Sequence, residues 1–232
     1  PGDIQNAGKL VMATNAEFEP FEFKDGDEVV GIDIEISQKI AEKLGVELEV
    51  SDIAFDTLIT ALQSGKADIV AAGMTADEDR KKNVDFSDPY FNASQAIIVA
   101  NDSDIVSRTD LNGKTVGVQL GTTGDKYCTN EDGENDITVA EVKRYSKGME
   151  AVSDLIAGRI DAVVIDNFPA EKLVEKNSDK VKKLDEALTS EEYAIAMPKG
   201  STELQKMVNE VLKEMQDSGE MDEIVGKYIS AE

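Results

Sequence analysis

Apolar residues along the chain alternate between two spacings, one suited to strands and one to helices. Lys9-Leu10-Val11-Met12-Ala13-Thr14 is short and apolar between polar flanks, which predicts a buried strand. Pro20-Phe21-Glu22-Phe23, a Lys24-to-Glu28 turn and Val29-Val30-Gly31 predict a hairpin. Asp33 is a candidate N-cap for a helix carrying Ile36, Ile40 and Leu44 on one face, with Gly45 as its stop. Val46 to Val50 alternates like a half-exposed strand. Phe55 to Ser64 places Leu58, Ile59 and Leu62 on one helical face, and Asp68-Ile69-Val70-Ala71-Ala72 is again a strand. The order β-α-β-α-β implies a parallel sheet with right-handed crossovers.

The pattern then restarts. Lys114 to Val118 predicts a strand, Gly121-Thr122-Thr123-Gly124 a helix start, and Thr138 to Val142 a second strand. Val152, Leu155 and Ile156 share the face of a further helix, and Ala162 to Ile165 is a buried strand. Leu62 to Val70 aligns without gaps onto Leu155 to Val163, each reading helix end, Gly, basic residue, spacer, Asp, strand. Two lobes of like design follow. Tyr193 to Met197 predicts a last strand closed by Pro198. Leu204, Met207, Val208, Val211, Leu212 and Met215 form the stripe of an amphipathic helix, which Gly219 breaks before a short one through Met221, Ile224, Val225 and Tyr228.

Composition narrows the chemistry. The 232 residues suffice for two cores, and 41% are hydrophobic. Lys and Arg number 24 against 48 Asp and Glu, a net charge of −24 that disfavours phosphate backbones and so nucleic acid. Histidine is absent and Cys128 is the one cysteine, which excludes His-based metal sites and Ser–His or Cys–His nucleophiles. No metal and no cofactor are expected. Cys128 reads as a small semi-buried side chain. No run approaches the ~20 apolar residues of a membrane span, and Pro1-Gly2 reads as a trimmed start, which leaves the compartment open.

In open α/β sheets ligands bind beyond the carboxyl ends of strands. That rule selects Thr14 to Phe18, Ala72 to Thr75 with Asp77 to Arg80, Gln119 to Gly124, and Asp166-Asn167-Phe168. These loops offer one fixed cation (Arg80), one strand-end carboxylate (Asp166), hydroxyls, and N–H groups expected to be exposed at Gly121 to Gly124; Phe18 and Phe55 are nearby aromatics. Arg is a planar fork for a carboxylate, and a carboxylate suits an ammonium. Each has a plainer reading: Arg80 as part of a solvated charge run, Asp166 as a helix cap, the two Phe as core. The Gly121 loop lacks the Lys of a phosphate-binding P-loop.

Several stretches together resemble the amino-acid-binding family of ABC-importer solute-binding proteins. They are Phe18-Glu19-Pro20-Phe21-Glu22-Phe23, Gly31-Ile32-Asp33, Ala72 to Arg80, Val84-Asp85-Phe86-Ser87-Asp88-Pro89-Tyr90, Gly117 to Gly124, and Asp161 to Asp166. The resemblance runs from Lys9 to Tyr228. It implies an α/β fold of the type II periplasmic binding protein kind: two Rossmann-like lobes with mixed sheets, joined by a two-strand hinge. Lobe 1 would comprise 1–91 and 193–232, lobe 2 would comprise 92–192, and the hinge would lie near 90–94 and 190–193.

By the same resemblance Arg80 clamps a ligand carboxylate to which Thr122 and Thr123 donate from lobe 2, Gly73 and Thr75 hold the ligand backbone, and Ala72 is among the ligand-binding residues. Asp166 receives the ammonium, Phe18 and Phe55 sandwich the side chain, and Gln119 varies with specificity. Asn15 stands where many relatives carry Asp, which favours a polar uncharged ligand such as glutamine and leaves a basic one open. The implied partners are a free amino acid and the transmembrane subunits of an importer, the implied form a monomer, the implied place extracytoplasmic, either periplasmic or lipid-anchored. No enzyme activity is expected. Two rivals share the fold: a cyclohexadienyl-dehydratase-like enzyme, and a sensor domain, which would continue into a membrane span where this chain ends at Glu232.

Overall fold

The computed structural model describes residues 1–229; the last three residues of the expected lobe 1 lie outside them. The chain begins α1 (Gly2–Ala7), β1 (Lys9–Thr14), β2 (Glu17–Phe18), β3 (Glu22–Asp25), β4 (Glu28–Val30), α2 (Ile32–Leu44) and β5 (Glu47–Asp52). A 3-10 turn (Phe55–Thr57) opens α3 (Leu58–Gln63), followed by β6 (Ile69–Val70), α4 (Glu78–Lys81), β7 (Val84–Phe86), β8 (Phe91–Ala93) and β9 (Gln95–Ala100). Then come β10 (Thr115–Gln119), α5 (Thr123–Thr129), β11 (Glu141–Tyr145), α6 (Gly148–Ile156), β12 (Ala162–Asp166), α7 (Asn167–Lys176) and β13 (Val181–Lys183). The chain closes with β14 (Glu191–Tyr193), β15 (Ala196–Pro198), α8 (Thr202–Ser218) and α9 (Glu220–Tyr228).

These elements divide into two compact units, Pro1–Asn92 with Glu192–Glu232, and Ala93–Glu191. The chain crosses the boundary in β8 and β14, which pair with each other. Each unit has one five-stranded sheet, ordered β5-β1-β6-β15-β7 in the first and β11-β10-β12-β9-β13 in the second. The first three strands of each are parallel and the fourth runs antiparallel, so the sheets are mixed as expected.

The nine-residue repeat has an atomic basis. Gly65 and Gly158 end their helices at φ +76° and +77°, a left-handed conformation that glycine adopts without a Cβ penalty. Asp68 accepts the Val11 amide at 2.8 Å, and Asp161 accepts the Thr115 amide at 2.9 Å. In return the Asp68 and Asp161 amides donate to the Val11 and Thr115 carbonyls. The shared Asp is thus a clamp that sets the third strand against the start of the first.

Five local expectations change. Gly31, not Asp33, occupies the N-cap of α2, and the Ile32 and Asp33 amides are satisfied by the Pro20 and Phe21 carbonyls. β11 begins three residues later than Thr138, because Thr138 and Ala140 bond the Asn112–Lys114 turn instead. Tyr193 to Met197 is two strands, β14 and β15; between them the Ala194 amide turns to Met74 O and the Ile195 amide to Ser87 Oγ. β6 is only Ile69–Val70. Ile156 lies at the edge of the α6 stripe and is exposed, whereas Val152 and Leu155 are buried. In α8 the predicted stripe buries Leu204, Val208, Val211, Leu212 and Met215, with Met207 partly covered.

Candidate functional site

In the first unit most candidate side chains come from the loops that follow β1 and β6 and from α4. Arg80 comes from α4, a single turn whose N-cap is Asp77: its carboxylate accepts the Arg80 amide at 2.7 Å. That cap turns the Arg80 side chain back over its own loop. The Arg80 side chain is 5% exposed, its Nη1 donates to the Thr75 carbonyl at 2.8 Å, and Nη1 lies 3.6 Å from Asp77 Oδ2. Its carbon sits 5.5 Å from the centre of the Phe55 ring. A cation so enclosed and oriented is unlike the lysines beside it: Lys81 and Lys82 are exposed, on ion pairs with Glu78 and Asp79. The solvated-run reading holds for those neighbours and fails for Arg80.

The rest of that loop is shaped for close approach. Gly73 has φ +51°, and a Cβ there would stand 2.9 Å from the Phe18 ring. The Thr75 hydroxyl is buried and finds no hydrogen-bond partner among the described residues. A buried hydroxyl without a partner is costly, and this one keeps capacity for a further hydrogen bond. Ala72 is fully buried, and Phe18 packs edge-on against Phe21 and Tyr193, ring centres 6.0 and 6.1 Å away. Asn15 is buried and donates its amide to Ile53 O at 2.8 Å, while the next residue, Ala16, gives its N–H to Asp52 at 2.9 Å.

In the second unit Gln119, Thr122 and Asp166 are buried at the carboxyl ends of β10 and β12, and Thr123 is the first residue of α5. Thr122 is the N-cap of α5: its hydroxyl accepts the Asp125 amide and donates to Gln119 O at 2.8 Å. The expectation of exposed N–H groups across Gly121 to Gly124 needs correction at Gly121, whose amide is taken by Asp125 Oδ2 at 2.9 Å. Asp125 is in turn held by Arg144 Nε at 3.0 Å and by the Thr129 hydroxyl. Asp166 precedes α7 but makes no side-chain cap bond, and Ser94 O takes the Asn167 amide, so the plain capping reading does not describe it.

Sequence reasoning missed the acids that build these loops. Asp77 was legible as an N-cap three residues before Arg80. Asp125 and Arg144 lie 19 residues apart, and no spacing rule joins them. Asp33, read as a cap, instead takes the Gly73 amide at 2.7 Å.

Residues 10–231 match the model of the bacterial extracellular solute-binding proteins, family 3. The chain belongs to that family. Its similarity to the arginine-binding extracellular protein ArtP of Bacillus subtilis is 40% identity over 233 residues, spanning 100% of this chain and 90% of ArtP. Among solved structures, holo ArgBP from T. maritima superposes with a TM-score of 0.86 at 42% identity, covering 99% of this chain and 100% of that one. An ancestral arginine-binding protein bound to glutamine gives 0.88 at 44% identity, over 97% and 99%. This family 3 member has the type II periplasmic binding protein fold that its motifs implied. Among its described residues no helix is long and apolar enough to cross a membrane, and no acid or cysteine cluster is placed to hold a metal ion.

Proposed function

We propose that this solute-binding protein captures a free amino acid, L-arginine first among them, between its two units and delivers it to an ABC importer. The observation that carries the reading is Arg80, an enclosed guanidinium fixed on Thr75 O and on the Phe55 ring. A guanidinium so fixed offers a carboxylate a fork already in place, which spares much of the ordering entropy of binding. In this reading Gly73, Thr75 and Ala72 support the ligand backbone in the first unit, and Thr123 and Gln119 face it from the second; Thr122, expected as a donor, instead shapes that loop, because its hydroxyl and amide are both given to Gln119 O. Asp166 takes the ammonium, and Phe18 and Phe55 cover the side chain. A ligand touching both units favours the closed arrangement by its differential affinity, with the crossings near 90–94 and 190–193 as the hinge.

L-arginine leads because ArtP is named as an arginine-binding protein and the T. maritima ArgBP has been solved with arginine bound. L-glutamine is the second reading: Asn15 offers a neutral amide where the family resemblance implies an Asp, and an ancestral arginine-binding protein has been solved with glutamine. The protein acts as a monomer, without catalysis, outside the cytoplasmic membrane.

Calorimetry of refolded, ligand-stripped protein against the twenty L-amino acids tests the proposal. At least one tight binder is expected, with arginine tightest, and Arg80→Ala should abolish its binding. Twenty silent titrations would refute the ligand class, and turnover of arogenate or prephenate would favour the enzyme instead.

A further inference from the structure

Two carboxyl groups and a phenol meet in the interior of the first unit, at the base of the Gly73 loop. Glu22, on β3, and Asp33, in the first turn of α2, are both fully buried. Asp33 Oδ2 accepts the Gly73 amide at 2.7 Å, and Oδ1 accepts the Tyr90 hydroxyl. The third group bearing on Asp33 is the Glu22 carboxyl, through a side-chain hydrogen bond. Two ionised carboxylates have no hydrogen to share, and like charges in contact away from water repel strongly. One of them must therefore carry a proton.

We propose that Glu22 and Asp33 hold a single proton between them at neutral pH, and that Asp33, braced by this bond, is the positioning residue that fixes the Gly73 amide of the binding loop and the Tyr90 hydroxyl. The bond to Gly73 sets a peptide that the Phe18 ring leaves no room to re-form with a side chain. Tyr90 lies two residues before Asn92, where the chain leaves the unit, and its amide is tied to Tyr193 O at 2.9 Å. One carboxylate thus joins the loop that would touch ligand to the segment that leads into β8. The titratable groups facing Asp33 are Glu22 from β3 and Tyr90 ahead of β8; Ala72 to Thr75 brings none. Burial raises Asp33 above the usual carboxylate range and raises Tyr90 well above its ordinary value, so the phenol stays a donor.

The sign follows from the proton count. Above the ordinary carboxylate range the unfolded chain has released a proton that the folded chain retains. Stability therefore falls as pH rises from that range toward the raised folded value, by about tenfold in the folding constant per pH unit for one proton. In Glu22→Gln an amide N–H replaces the shared hydrogen, so the bond to Asp33 persists without titrating.

The positioning role at the loop rests on the proposed amino-acid binding; the shared proton does not. Urea unfolding of the full chain at pH 5, 6 and 7 should show the wild type losing about tenfold per pH unit relative to Glu22→Gln. L-arginine binding by calorimetry at pH 7 should stay within about twofold in Glu22→Gln and fall more than about tenfold in Asp33→Asn. In the ligand-free chain, the Gly73 amide should exchange hydrogen at least about tenfold faster in Asp33→Asn. If that variant does not fold, Tyr90→Phe should accelerate the same exchange. Parallel pH profiles for wild type and Glu22→Gln would overturn the shared proton, and unchanged Gly73 exchange would overturn the positioning. A wild type that binds no amino acid would sink the function proposed above, while the unfolding and exchange measurements would still decide this inference.

Discussion

Gly31→Ala isolates the contact that starts α2. Gly31 has φ +135°, a region that L side chains rarely enter, and its added Cβ would lie 2.3 Å from the Phe21 carbonyl oxygen and 2.9 Å from that of Pro20. Both neighbours are backbone, so neither can swing aside as a side chain would. They are also the acceptors for the first two amides of α2, Asp33 N at 2.9 Å and Ile32 N at 3.1 Å. Backbone strain of this kind costs about 1–3 kcal/mol. Displacing the two carbonyls forfeits two hydrogen bonds of about 1 kcal/mol each, so the whole effect is about 3–5 kcal/mol. Gly26→Ala serves as the control, because Gly26 has φ +66° but nothing within 4 Å of its added Cβ. It should lose only the conformational part, about 1–2 kcal/mol. Urea unfolding followed by circular dichroism compares the two. Equal losses in both variants would show that the Pro20–Phe21 contact contributes nothing and refute the reasoning.

Three further outcomes follow from the site. Arg80→Lys keeps the charge but loses the planar fork; forfeiting one charge-assisted hydrogen bond of about 1.5–3 kcal/mol should weaken L-arginine binding about 10- to 150-fold by calorimetry, and a change below about threefold would contradict the assignment. Asp125→Asn removes the charge paired with Arg144, an arginine with a half-solvated side chain, so thermal unfolding should report a loss of only about 1–2 kcal/mol. Burial pushes the Cys128 thiol up to about 12, so the native protein at pH 8 holds it as an unreactive thiol. Iodoacetamide should label it only when urea unfolds the chain, and rapid labelling of native protein would mean that the thiol is reached without unfolding.

Periodicity made the two sheets legible, and glycine placement made the repeat legible. What it could not reach were contacts between residues far apart in sequence. β9 and β13 enter the second sheet antiparallel to each other, and neither the apolar run of β9 nor Val181-Lys182-Lys183 states which strand it joins. The strand-end rule selected the candidate loops, yet it did not reach the acids that hold them. Asp33 and Gly73 are 40 residues apart, and a lone Asp after a glycine reads as a helix cap until the partner is known. Thr122 shows the converse: its hydroxyl is spent on Gln119 O and the α5 cap, a local use that Thr122-Thr123-Gly124-Asp125 already allowed.

The order of strands also sets when each sheet has all its strands available. The second unit is built from one continuous stretch of chain, with all five sheet strands between Gln95 and Lys183. The first unit takes its fourth strand, β15, from Ala196–Pro198, after the whole of the second has been made. A chain emerging from the ribosome therefore carries an incomplete first sheet, with the apolar edge of β6 uncovered, while the later-made unit has everything it needs to fold. An unprotected strand edge is where unwanted pairing starts. In the cell this places the hazard of misassembly in the N-terminal half, for as long as it takes to synthesise about a hundred more residues, at roughly 5–20 residues per second.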